Sequence, residues 1–128
     1  MAIKATISHN GLIWAVVPEE DLPHLVGVLS AGLGTEEFTA DRDDRSEEWR
    51  VLEAMLVEPD DEDKLDFRLQ GRLLAVTGRR SALAELASAL SDLAADPKEY
   101  PPGMRQLRLD GYDARLRSHS SRIVFELG

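Results

Sequence analysis

The chain has 128 residues, 43% of them apolar and none of them cysteine, and carries a formal net charge of −9. That length and apolar share suit one domain with a buried core, and the absence of cysteine excludes disulfide and thiolate–metal chemistry. No run of about 18 apolar residues could cross a membrane, and a chain this acidic repels the phosphate backbones that clustered Lys and Arg would hold.

The opening segment MAIKATISHNG lacks the long apolar run of a signal peptide, so a cytoplasmic address is expected. Ile3, Ala5 and Ile7 alternate with polar residues, and Asn10-Gly11 is a strong two-residue hairpin signal before the apolar run LIWAVV, residues 12–17. Pro18 stops that strand. A helix follows, with Asp21 as N-cap, Pro23 in the first turn, and Leu22, Leu25, Val26, Leu29 and Leu33 on one face. Gly32 and Gly34 are placed to end it.

The segment 47–57 fits two periods. Trp49, Leu52 and Leu56 suit a helix; Trp49, Val51, Met55 and Val57 suit one face of a strand, and strand is the reading adopted. After the acidic run, Leu65, Phe67 and Leu69 alternate, Gln70-Gly71 stands at a turn, and LLAV (residues 73–76) reads as a strand ended by Gly78. Ser81 caps a second helix through Leu83, Leu86, Ala87, Leu90 and Leu93, which Asp96-Pro97 stops. Leu107 and Leu109 suggest a strand, Asp110-Gly111 a turn, and RIVFEL a final strand.

The two halves match. Gly11, Ala15 and Val16 recur 60 residues later as Gly71, Ala75 and Val76, while Leu22, Leu25, Leu29 and Ser30 recur 61 later as Leu83, Leu86, Leu90 and Ser91. The expected architecture is therefore α+β: two ββαββ-like units forming antiparallel sheet or sheets, with two main helices packed on one side. The units span residues 1–58 and 65–128, joined by an acidic linker at 59–64 within one compact domain.

Charge is the strongest functional signal. Residues 36–66 hold fourteen acidic and four basic side chains, a net of −10, whereas residues 67–128 carry a net of +3. A field of that sign draws in a basic partner. The expected docking surface is Glu36, Glu37, Asp41, Asp43, Asp44, Glu47, Glu48 and Trp49 with Asp60, Asp61, Glu62 and Asp63. As a calcium loop the run from Asp60 fails: Leu65 stands where the turn needs Gly, and Gly71 where the last ligand must be Glu. No metal or cofactor is expected, and no catalytic residue is assigned. His9, His24 and His119 show no zinc spacing, and the serines adjacent to His119 point away from it on an extended chain. Arg79 and Arg80, just before a helix, form a weak anion-binding candidate. Trp14 is expected in the core.

From Leu65 onward the pattern resembles the immunity protein 32 family of bacterial polymorphic toxin systems. The residues that carry this are Leu74, Val76 and Gly78 at a strand end, Leu83, Leu86 and Leu90 on the helix, Leu109-Asp110, and Ser120 or Ser121 before the last strand. The resemblance covers about half the chain and departs at Arg108, where the family pattern has His. It implies a non-catalytic protein that binds and neutralises a toxin. The alternatives are a small-ligand or enzymatic domain around Arg79, Arg80 and His119, and a structural homodimer.

Overall fold

The computed structural model describes residues 3–39, 49–95, 105–109 and 113–128, with Trp49 and Ala95 described by their main chain. The order is β1 (Lys4–Ser8), β2 (Ile13–Val17), a short 3-10 turn at Glu19–Asp21, α1 (Leu22–Ala31), β3 (Gly34–Glu37), β4 (Trp49–Val51), β5 (Ala54–Pro59), β6 (Asp66–Gln70), β7 (Leu73–Gly78), α2 (Arg80–Ala95), β8 (Arg105–Leu109) and β9 (Ile123–Leu127). This is the expected α+β class. The strand reading of residues 49–57 holds, with a break at Leu52-Glu53 where the chain passes from one sheet to the other.

The strands form two sheets, ordered β4-β1-β2-β9-β8 and β3-β5-β7-β6. Neither is wholly antiparallel, contrary to expectation: β2 runs parallel to β9, and β5 parallel to β7. The reason is an exchange. Each hairpin, β1–β2 or β6–β7, is completed by the strands that follow the other half's helix. A parallel partner needs a long crossover, and the exchange supplies one. The two halves thus build both sheets jointly around a pseudo-two-fold relation in which β1, β2, α1, β3 and β5 correspond to β6, β7, α2, β8 and β9.

The register refines the repeat. Ala15 faces the core and is buried, whereas Ala75, its match at 60 residues, is half-exposed; the buried counterpart is Val76, 61 residues on. A one-residue slip turns a side chain to the other face, so 61 is the structural offset of β2 and α1 alike. The hairpin loops differ as well. Ser8 N–H donates to Leu12 O and Gly11 N–H to Ser8 O, so Asn10-Gly11 sits in a three-residue loop rather than a two-residue turn. Gly11 takes the left-handed φ of +87° that closes such a loop. Gln70 pairs directly with Leu73, leaving a two-residue loop.

Both inner sheet faces and the apolar stripes of both helices merge into one core. Phe67 of β6 and Phe125 of β9 meet edge to face at 6.3 Å, joining the sheets. Leu22, Leu25 and Leu29 of α1 are buried, and Leu83, Leu86 and Leu90 of α2 likewise. Three local expectations change. Leu33 is 61% exposed because Gly32, at φ +73°, ends the helix before that position turns inward. The second helix begins at Arg80, with Leu83 N–H bonded to Arg79 O, one residue ahead of Ser81. Trp14 is half-buried on the outer face of its sheet, beneath the Arg108 guanidinium at 5.9 Å, because Trp14 and Arg108 lie in one row across β2, β9 and β8. The Asp110-Gly111 turn and the Asp96-Pro97 stop lie outside the described residues. Among the described residues, no helix is long and apolar enough to cross a membrane.

Candidate binding surface

Strand alternation sorts the acidic residues by face. On β5, Met55 and Val57 point into the core, so Leu56 and Glu58 point out. On β3, paired to β5 in register, Thr35 and Glu37 point out and Glu36 points in. The outer face of the second sheet therefore presents Glu37 and Glu58 about 13 Å apart along the strand direction, with half-buried Leu56 and Ala75 beside them. Neither glutamate has an ion pair among the described residues.

Glu36 does not belong to that surface. Its side chain is fully buried, one carboxyl oxygen meets Nδ1 of His24 from α1, and the other has no hydrogen-bond partner among the described residues. Under the pseudo-two-fold its place corresponds to Leu109 of β8, a core leucine 1% exposed. Within an acidic stretch, the sequence could not single out Glu36 as an acid that faces inward.

The expected linker is fastened at nearly every residue. Asp60 N–H donates to Gly78 O, Glu62 N–H to the Asp60 carboxylate, and Arg79 N–H to Glu62 O at 2.7 Å. Arg79 also donates to Asp61 O at 3.0 Å and lies 3.1 Å from the Asp63 carboxylate. Arg117 donates to Lys64 O and, at 2.6 Å, to Asp60. Asp60 and Asp63 are thus neutralised from within, and Asp61 and Glu62 are left exposed without an ion pair among the described residues. Asp41, Asp43, Asp44, Glu47 and Glu48 lie outside the described residues, as does the Trp49 side chain.

Burial alone would raise the Asp60 carboxyl, but the Arg117 guanidinium, the Glu62 N–H and Thr77 outweigh it and hold it below the usual carboxylate range. A carboxyl depressed on folding adds stability that is present above its unfolded value and is lost as pH falls through the folded one. Wild-type protein is accordingly expected to exceed Asp60→Asn in stability by about 1 kcal/mol at neutral pH, with the gap closing as pH falls from about 5 to below 3. Urea unfolding of both proteins across that range checks it.

The weak anion candidates turn to separate partners. Arg79 serves Asp61 and Asp63. The Arg80 stem lies against the C-terminal end of α1, where a Cβ on Gly32 would meet its Cγ at 3.1 Å; a cation is favourable at that end of a helix. His119 Nε2 lies 3.4 Å from Asp66, 4% exposed, which also receives Arg68 at 2.9 Å and Arg117 at 3.8 Å. This second cluster, unforeseen in the sequence, fastens residues 113–121 along β6. Leu65 N–H donates to Arg115 O, Arg117 N–H to Leu65 O, Phe67 N–H to Ser120 Oγ, and Ser121 N–H to Phe67 O. It covers an edge that would otherwise be open, as β4 covers the edge of β1. Sequence alternation through Leu56 and Glu58 could have found Glu58. Nothing local marks Asp66 and Arg117, which are 51 positions apart.

Among the described residues no group of His, Asp and Glu is arranged to hold a metal ion. Comparison with family models, curated proteins and solved structures gives no match for the chain.

Proposed function

We propose that this chain is a non-catalytic protein-binding domain that captures a basic partner on an acidic surface, in the manner of a bacterial toxin-immunity protein. The observation that carries the reading is the division of the acids by their partners. Asp60 and Asp63 are satisfied internally and Glu36 is buried, while Glu37, Glu58, Asp61 and Glu62 are exposed without ion pairs among the described residues, around the β3–β5 side of the second sheet. Unpaired exposed carboxylates steer an oppositely charged protein and add complementarity at its surface. The toxin-immunity form of the proposal rests on the resemblance of residues 65–127. The mechanism is occlusion: the partner's basic working surface is covered, with no bond made or broken.

The test is the association rate with the product of the neighbouring gene, which this proposal expects to be a basic protein. The rate is expected to fall by about tenfold or more as salt rises from about 0.03 to 0.3 M, because the Debye length contracts across that range. A rate indifferent to salt, or no association at all, contradicts the proposal. The ligand-pocket alternative has no comparable support, since Arg79, Arg80 and His119 address different neighbours.

A further inference from the structure

Four strands end the two sheets: β4 and β8 in the first, β3 and β6 in the second. Residues 115–121 run along β6. β8 carries Arg105 and Arg108, whereas β3 carries Glu36 and Glu37, and among the described residues no strand pairs with the outer side of β3. Three hydrogen bonds show which way its main chain faces. Phe38 N–H donates to Glu53 O at 2.8 Å, Asp60 N–H to Gly78 O at 2.9 Å, and Thr39 N–H away from β5 to Ile3 O at 2.8 Å. Odd residues of β5 therefore face β3 and even residues face β7. In the register of the ladder, Gly34 and Glu36 bond to β5, while Thr35 and Glu37 turn their N–H and C=O groups to the open edge. Pro59 agrees with this, because its missing N–H falls on the side away from β7.

Three features surround that edge. Glu37 and Glu58 stand on the outer face beside it. Leu33, immediately before it, is the one large apolar side chain strongly exposed among the described residues. An incoming strand would find main-chain groups at Thr35 and Glu37 that no described residue pairs, carboxylates to meet its outward side chains, and an apolar contact at its end.

We infer that β3 is a docking edge that takes an extended basic segment of the partner, with Lys or Arg at alternate positions, as an added strand of this sheet. This rests on the acidic-surface reading above and specifies its geometry. Main-chain pairing supplies the fit, and Glu37 with Glu58 rejects acidic strands by like charge.

The experiment titrates the full chain with a short peptide of alternating lysine and valine. A twin with N-methyl groups on alternate amides has the same charge but cannot pair along one edge. The plain peptide is expected to bind, and the twin to bind at least about tenfold more weakly. Equal binding of the two overturns strand addition and leaves the acidic surface standing; failure of both overturns the two readings together. On the chain, Thr35→Pro removes an N–H from the open edge while sparing the bonds to β5, and is expected to weaken the plain peptide by about tenfold. Should Thr35→Pro fail to fold, Glu37→Pro is compared with Glu37→Gln, which lose the same charge. Equal affinities for that pair overturn the inference; weaker binding by the proline variant upholds it.

Discussion

Replacing Asp66 with alanine is expected to cost about 3–4 kcal/mol of folding stability, the range for removing one partner from a buried charge cluster. Asp66 is 4% exposed, and Arg117 beside it is 16% exposed. Arg68 and His119 reach the same carboxylate from solvent and would simply rehydrate; Arg117, mostly buried, would not. It retains Asp60 at 2.6 Å and Lys64 O at 2.9 Å, which sets the upper limit on the loss. The damage should be local as well as global. Without its anchor, residues 113–121 lose their hold on β6, so the amides of Leu65 and Phe67 should exchange faster with solvent in Asp66→Ala than the loss of global stability alone explains. Urea unfolding and amide exchange measure the two effects separately. A change below about 1 kcal/mol would show the cluster to be surface decoration.

The second large effect has the opposite sign. Glu36→Leu is expected to stabilise the fold by about 1–3 kcal/mol, because a buried polar cluster often yields stability when a hydrophobic residue of similar volume replaces it. The other half of the molecule supplies the control: Leu109 occupies the equivalent place with 1% exposure. Glu36 keeps one carboxyl oxygen in the core with no partner among the described residues, which is costly, and His24, which meets the other, is already 54% exposed and can return to water. Its retention is consistent with a task other than stability. An inward-facing acid on an open edge strand discourages indiscriminate strand pairing. Glu36→Leu should therefore be more stable and also more prone to associate with itself. Thermal unfolding together with light scattering examines both, and a destabilised variant would contradict the equivalence of Glu36 and Leu109.

Much of this fold was legible in the sequence, because local pattern determines local structure. Alternation at Ile3, Ala5 and Ile7 and the leucines of α1 and α2 identified strands and helices correctly. β3 was missed. GTEE has poor strand propensity, and pairing with β5, some twenty residues away, makes it a strand. The exchange of strands between sheets was illegible for the same reason: nothing local distinguishes β7 from β2 as the parallel partner of β5. The repeat was visible but out of step by one residue, since the identities at Gly11, Ala15 and Val16 align letters rather than buried faces. Of the proposed site, the sign and location of the charge were legible. Which acids stay free was not, because it depends on Arg79 and Arg117 arriving from elsewhere in the chain.

The central claim is that the unpaired acids around β3 and β5 recruit a basic partner. The most direct measurement is the association rate of Glu37→Lys/Glu58→Lys/Glu62→Lys with the product of the neighbouring gene, which the proposal expects to be basic, compared with wild type at low salt. These side chains are exposed, so the variant should fold with nearly wild-type stability. A fall in association rate of about tenfold or more, which shrinks as salt is raised, is the result expected. Equal rates for the two proteins in a correctly folded variant would contradict the claim.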